Sequence, residues 1–211
     1  MELSSHNSVA VLAFSPTAGY PRLTSAVWGE LNDLLDEVQG AGLFTGIVIA
    51  ANAKSFASGA EIAEVAAVDG VGARDFAERG QRACSRVASF PLPIVAAIRG
   101  YCLGGGLDLA LACHGRVATF DASFGHPAAA LGLVTGWGGT QRLPRLLGKA
   151  TALHMFLTSD RIPATQALKM GLVDALASSR DLLEVAAGRA QALCGAVVAR
   201  SSCQGPARVE S

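Results

Sequence analysis

Runs of apolar residues, their spacing and the glycines between them divide the chain into elements. Val9 to Phe14, VAVLAF, is a continuous apolar run closed by Ser15-Pro16, as expected of a strand covered on both faces. From an N-cap at Thr24, the residues Val27, Leu31, Leu34, Leu35 and Val38 recur at helical spacing, and Gly40 ends the pattern. Gly46 to Ala50, GIVIA, is β-branched and apolar and reads as a second strand. The segment after it, ANAKSFASGAEIAEV, turns into a helix whose first turn holds Glu61. Val95 to Ile98, between Pro93 and Gly100, is a third strand, followed by glycines and a helix through Cys113.

After GRVATF the pattern alternates glycine turns with helix signals in GGTQRLPRLLG, KATALHMFLTS and PATQALKMG. It ends in Arg180 to Arg200, where Leu182, Leu183, Val185, Ala186, Leu193 and Val197 supply one apolar face. Strand, helix, strand, helix in that order implies βαβ units with parallel pairing, because parallel neighbours need a crossover. The fold class is therefore α/β at the front, with a helical C-terminal region.

The length of 211 residues fits one domain with a substantial core. Lys+Arg and Asp+Glu each number 17, so the surface lacks the basic excess that nucleic-acid binding requires, and any anionic ligand must be held locally. Hydrophobic residues make up 51% of the chain, yet no uninterrupted apolar stretch approaches the ~20 residues that span a bilayer. The opening MELSSHNS lacks the basic and apolar regions of a secretory signal. Cys84, Cys102, Cys113, Cys194 and Cys203 form no C-x-x-C pair and are odd in number, which favours reduced thiols in a cytoplasm over a disulfide framework. Only the tail from Ser201 onward, SSCQGPARVES, reads as disordered.

Three glycines in a row, Gly104 to Gly106 in YCLGGGLDLALAC, stand before a helix-forming run, where each costs roughly 0.5–1 kcal/mol relative to alanine. The dinucleotide fingerprint G-x-G-x-x-G is not met here, and a P-loop would need Gly-Lys-Ser/Thr where Leu107-Asp108 follow. A second glycine-bearing turn, FASGAEI at Phe56 to Ile62, changes the picture. Two strand-to-helix turns, each presenting a bare N–H, can aim two donors at one oxygen, the geometry of an oxyanion hole.

FASGAEI, PLPIVAAIRGYCLGGGLDLALAC and ASFGHPAAALGLVTGWGGTQRLPRLLGKATALHMFLTSDRIPATQALKMGLVD together resemble the enoyl-CoA hydratase/isomerase family, the crotonase superfamily, from about Val9 to Asp174. The resemblance implies a crotonase-like ββα-spiral core over residues 1–174, followed at 175–211 by a shortened C-terminal helix and tail. It implies an acyl-CoA thioester as substrate, with the thioester oxygen held by the amides of Ala60 and Gly105. No metal or redox cofactor is implied, coenzyme A entering as part of the substrate. The implied partners are further copies of the chain, as a trimer or hexamer, and neither nucleic acid nor membrane. Both termini read as trimmed, the N-terminus without a first strand.

Hydratases of the family resemble one another in two glutamates around the substrate α and β carbons. Asp108 stands at one of these positions and Ala128 at the other. Alanine cannot transfer a proton, so hydration should be weak by about 10²–10⁴-fold. The aspartate that some isomerases and hydrolases place eight residues further on is Gly136 here. Asp108 is therefore the candidate general acid–base, against its alternative as a first-turn aspartate facing the helix dipole. His126, two residues before Ala128, is a candidate proton carrier, against its alternative as a turn histidine before proline. Glu61 and Glu64 read as helix first-turn carboxylates, His114 as a helix C-terminal cap, and Trp137 as packing; Lys54 is a candidate for a CoA phosphate or a solvated loop residue. His6 and His154 show no partner by spacing. The leading reading is an acyl-CoA enzyme with altered proton chemistry, performing slow hydration, double-bond migration or thioester cleavage. The alternatives are an acyl-CoA binder or partner subunit without turnover, and a nucleotide-binding domain.

Overall fold

A computed structural model describes residues 1–15 and 19–202. The chain runs β1 (Glu2–His6), β2 (Val9–Phe14), α1 (Ser25–Ala41), β3 (Gly46–Ala51), α2 (Ile62–Ala67) and α3 (Gly70–Ala88), then β4 (Ile94–Ile98), β5 (Tyr101–Leu103) and α4 (Gly105–Ala112). It continues through β6 (Gly115–Thr119), β7 (Ser123–Gly125), a 3-10 turn (Pro127–Leu131), α5 (Gly139–Leu147), α6 (Lys149–Thr158), β8 (Ile162–Pro163), α7 (Ala164–Lys169), β9 (Ala175–Ala177) and α8 (Leu182–Ser202). The tail expected to be disordered lies, from residue 203 with Cys203, outside the described residues.

Six strands form one sheet in the order β1-β2-β3-β4-β6-β9, parallel except for the antiparallel β1–β2 pair. A smaller sheet, β5-β7-β8, receives the strands that follow β4 and β6: β4 passes to β5 and α4, and β6 to β7 and the 3-10 turn. These β-β-α repeats are the spiral that the resemblance implies. β1 is a first strand that the reading of a trimmed N-terminus does not expect; its exposed, polar sequence ELSSH hides it from any apolar pattern. The back half is likewise less purely helical than its pattern suggests, since β7, β8 and β9 are too short to carry a period.

The long strands are apolar throughout because both faces of the large sheet are covered. Leu12, Ile47, Ile49, Ile94 and Ile98 face the main core with α1, α3 and α4, whereas Val9, Val11, Val48, Val95 and Val117 face α8. α8 meets them with Leu182, Ala186, Ala187 and Ala190, and Ala190 lies so close that a Cβ at Gly46 would sit 3.0 Å from its own. Its buried stripe differs from the expected face: Val185 is exposed, and small alanines do the packing.

α1 starts as expected, Thr24 accepting from the Val27 N–H at 3.2 Å, but it runs through Gly40. Gly42, at φ 63°, ends it, because the left-handed cap conformation is needed there. α3 is the helix the pattern does not announce. Its buried face, Gly80, Ala83, Cys84 and Val87, has helical spacing but is mostly too small to register as hydrophobic. Among the described residues no helix is long and apolar enough to cross a membrane.

Candidate active site

The turn after β3 is fixed from two sides. Ala57 bridges to Cys102, donating to Tyr101 O at 3.1 Å and accepting from Leu103 N at 3.0 Å; Leu23 donates to Gly59 O at 2.9 Å. Gly59 lies at φ 97°, where other residues are strained, and its backbone rests against α4: a Cβ there would be 3.0 Å from Gly105 N. Parallel pairing of Ala60 with Leu23 bonds through the flanking residues, which leaves Ala60's own N–H aimed away from Leu23.

Each of the three consecutive glycines has its own reason. Gly104 takes φ 52° and donates to Gly125 O at 2.9 Å. A Cβ on Gly105 would collide with the six-membered ring of Trp137, and one on Gly106 would stand 2.5 Å from Ala57 O. Gly105 opens α4, so its N–H has no partner one turn back. Among the described residues no main-chain carbonyl accepts from Ala60 N or Gly105 N, and both residues are half-buried. Two main-chain donors on abutting turns are therefore available to a ligand.

Asp108 lies one helical turn after Gly105, on the same face of α4, and is fully buried. Its carboxylate is held by the loop before α5, where Oδ2 accepts from Thr135 Oγ1 and, at 3.1 Å, from Trp137 N. Asp108 does stand in the first turn of α4, as the helix-dipole alternative has it, and its hydrogen bonds come from the loop before α5. Oδ1 makes no hydrogen bond of good geometry; the Gly139 backbone N–H lies near enough to favour the ionised carboxylate, and a Cβ on Gly139 would collide with Oδ1. Burial pushes the Asp108 carboxyl up to about 6, against the opposing pull of the Thr135 and Trp137 bonds.

His126 Nε2 stands 3.9 Å from Asp108 Oδ1, too far for a hydrogen bond, and neither ring nitrogen has a partner. Burial pushes the imidazole down to about 4, so it is neutral at pH 7, and the pair is a neutral ring beside a carboxylate rather than an ion pair. The ring packs against Phe156 at 5.1 Å. Asp108 and His126, singled out separately in the sequence, are thus brought together. Ala128 is half-buried in the 3-10 turn that follows.

Other candidates fall elsewhere. Glu61 N-caps α2 rather than lying in its first turn, and pairs with Arg22 at 3.6 Å; Glu64 accepts from Ser25 N at 3.2 Å. His114 does not cap its helix by its side chain: Nδ1 accepts from Ile94 N at 2.9 Å, at the start of β4. His6 pairs with Glu184 at 2.6 Å, His154 lies 3.9 Å from Asp160, and Lys54 is exposed. Cys84, Cys102 and Cys113 are buried, and burial pushes their thiols up. No cluster of three metal-ligating side chains occurs among the described residues.

Sequence reasoning missed Thr135, the Trp137 N–H and Gly139, which together define the Asp108 environment. They lie about 30 residues from Asp108, and no local spacing links them; only the density of glycine in TGWGG signals a tightly approached loop.

Residues 4–202 match the family model described as enoyl-CoA hydratase/isomerase. The fatty acid oxidation complex subunit alpha of Shewanella halifaxensis is 41% identical over 185 residues, 85% of this chain; the chain spans 26% of that protein's length. The crystal structure of enoyl-CoA hydratase from Bacillus anthracis matches with a TM-score of 0.87 and 29% identity, over 95% of this chain and 81% of that one. An enoyl-CoA hydratase from Thermoplasma volcanium matches with a TM-score of 0.88 and 25% identity, over 96% of this chain and 83% of that one.

Proposed function

The chain belongs to the enoyl-CoA hydratase/isomerase family, and from that premise we propose that it holds an acyl-CoA thioester by its carbonyl oxygen, through Ala60 N–H and Gly105 N–H, while Asp108 moves the proton at Cα. The observation that carries this reading is the placement of Gly105 and Asp108 one turn apart on α4, with Oδ1 unpartnered. An oxygen held at Gly105 N–H brings its own Cα toward that Oδ1. Removing the Cα proton leaves negative charge on the thioester oxygen, where two preorganised donors are worth most; losing one typically costs about 10²–10³-fold in rate.

One carboxylate suits double-bond migration better than hydration. In migration a single base takes the proton from Cα of a 3-enoyl thioester and returns it at Cγ, leaving the enzyme unchanged. Hydration needs a further group to activate water, and Ala128 offers none. His126, neutral and 3.9 Å from Oδ1 without a hydrogen bond to it, flanks the base, and it could take part as a proton carrier only if substrate binding brought it into hydrogen-bond reach. Coenzyme A enters as part of the substrate, and no further cofactor takes part in these steps. Assembly as a homo-oligomer, trimer or hexamer, in the cytoplasm completes the reading, and would cover exposed Val134, Leu153 and Leu157.

The test offers 2-enoyl- and 3-enoyl-CoA esters to the protein and to Asp108→Asn, following the absorbance of the conjugated thioester and release of the CoA thiol. Conjugation that appears with 3-enoyl esters and disappears in Asp108→Asn supports the proposal. Binding of CoA esters with no turnover supports instead the non-catalytic reading, which Ala128 favours.

A further inference from the structure

We infer that the indole of Trp137 is the wall that ends the acyl pocket, so that the substrates are short-chain acyl-CoA thioesters. This rests on the site reading above and deepens it. The six-membered ring lies against the Cα of Gly105, whose N–H is the proposed donor to the thioester oxygen. The main-chain N–H of the same residue holds Asp108 Oδ2 at 3.1 Å. Trp137 therefore reaches from the oxyanion donor to the acid, and an acyl chain leaving the Cα between them meets it.

A groove of about 450 Å³ is lined by Trp137 together with Gln81, Gly136, Gly138 and Arg142, whereas neither Gly105 nor Asp108 lines it. Trp137 thus borders both this groove and, through its ring on Gly105 and its N–H on Asp108, the reacting groups. The wall is rigid. A Cβ at Gly80 on α3 would collide with the five-membered ring, Trp28 packs edge-on at 5.1 Å and 86°, Phe76 lies at 5.4 Å, and the residue is only 3% exposed. The indole cannot swing aside without displacing α1 or α3.

Each methylene that an apolar pocket accepts or refuses changes kcat/KM by roughly 10–200-fold, so the wall should be plain in a chain-length series. The experiment measures kcat/KM for straight-chain enoyl-CoA esters from the four-carbon to the dodecenoyl ester with the wild type, Trp137→Phe, Trp137→Leu and Trp137→Ala, and compares octenoyl-to-butenoyl ratios among folded samples. The ratio is insensitive to a general loss of rate. The wild type should fall steeply beyond the shortest esters, with Trp137→Leu and Trp137→Ala raising the ratio by about tenfold or more and Trp137→Phe by less. A wild type that turns over dodecenoyl-CoA as readily as the four-carbon ester overturns the inference, even if no variant folds. So does an unmoved ratio in folded Leu or Ala variants. If either result comes with turnover that Asp108→Asn abolishes, only the wall is lost. If no ester of any length is bound or turned over, the site reading fails and the wall with it.

Discussion

Asp108 Oδ1 and His126 Nε2 face one another across 3.9 Å, both buried and neither hydrogen-bonded. Burial acts on the two groups in opposite senses. The carboxyl is pushed up from 3.8 to about 6, so the fold gains stability from its protonated form, fully below 3.8, and loses that gain as pH rises toward 6. The imidazole is pushed down from 6.5 to about 4, so its contribution is complete above 6.5 and lost as pH falls toward 4. Each is worth about 3 kcal/mol, and between pH 4 and 6 they oppose. Urea midpoints across this range should be nearly flat for the wild type, fall with acid in Asp108→Asn, and rise with acid in His126→Gln. Parallel curves for all three would refute the argument.

The same carboxyl governs the proposed chemistry. A base must be ionised to accept a proton, so kcat/KM should drop about tenfold per pH unit below pH 6. Thr135→Val removes the hydroxyl that donates to Oδ2 and stabilises the ionised form, and should move this limb to higher pH. A pH profile that stays put would show that another group titrates.

Gly105→Ala should abolish turnover and lower stability together, because its Cβ strikes an indole already hemmed in by Gly80 and Trp28. Gly59→Ala should cost about 1–3 kcal/mol from its φ of 97° alone. Its Cβ, 3.0 Å from Gly105 N, also presses the two donor turns apart. Thermal melts and turnover of the same samples check both, and an active, fully stable Gly105→Ala would contradict the packing.

Ala128→Glu returns a carboxylate to the half-buried 3-10 turn after His126. Hydration of crotonyl-CoA should rise by about 10²-fold or more over the wild type. No gain in a folded variant would mean that position 128 does not reach the substrate β carbon.

What could be read from the chain was whatever repeats or stands in a motif. β2, β3 and β4 were legible because Val and Ile fill both faces, and the glycine turns because three side chains are missing at one place. Asp108 and His126 were legible as candidates, but their meeting was not, since it depends on β7 and α4 being brought side by side. α3 escaped because its contact face is glycine, alanine and cysteine, and β1 because its polar side chains say nothing of the backbone ladder to β2. In the sequence Trp137 reads as packing; that its ring lies on Gly105 and its amide on Asp108 depends on a loop conformation with no local signature.

Among the described residues one helix, α8, covers the outer side of the large sheet, and it follows in sequence every strand that it covers. While the polypeptide is being made, Val9, Val11, Val48, Val95 and Val117 therefore wait without a roof until α8 emerges. A ribosome stalled before Leu182 would hold a sticky, half-finished sandwich, and quality control by holding chaperones would be most needed at that moment.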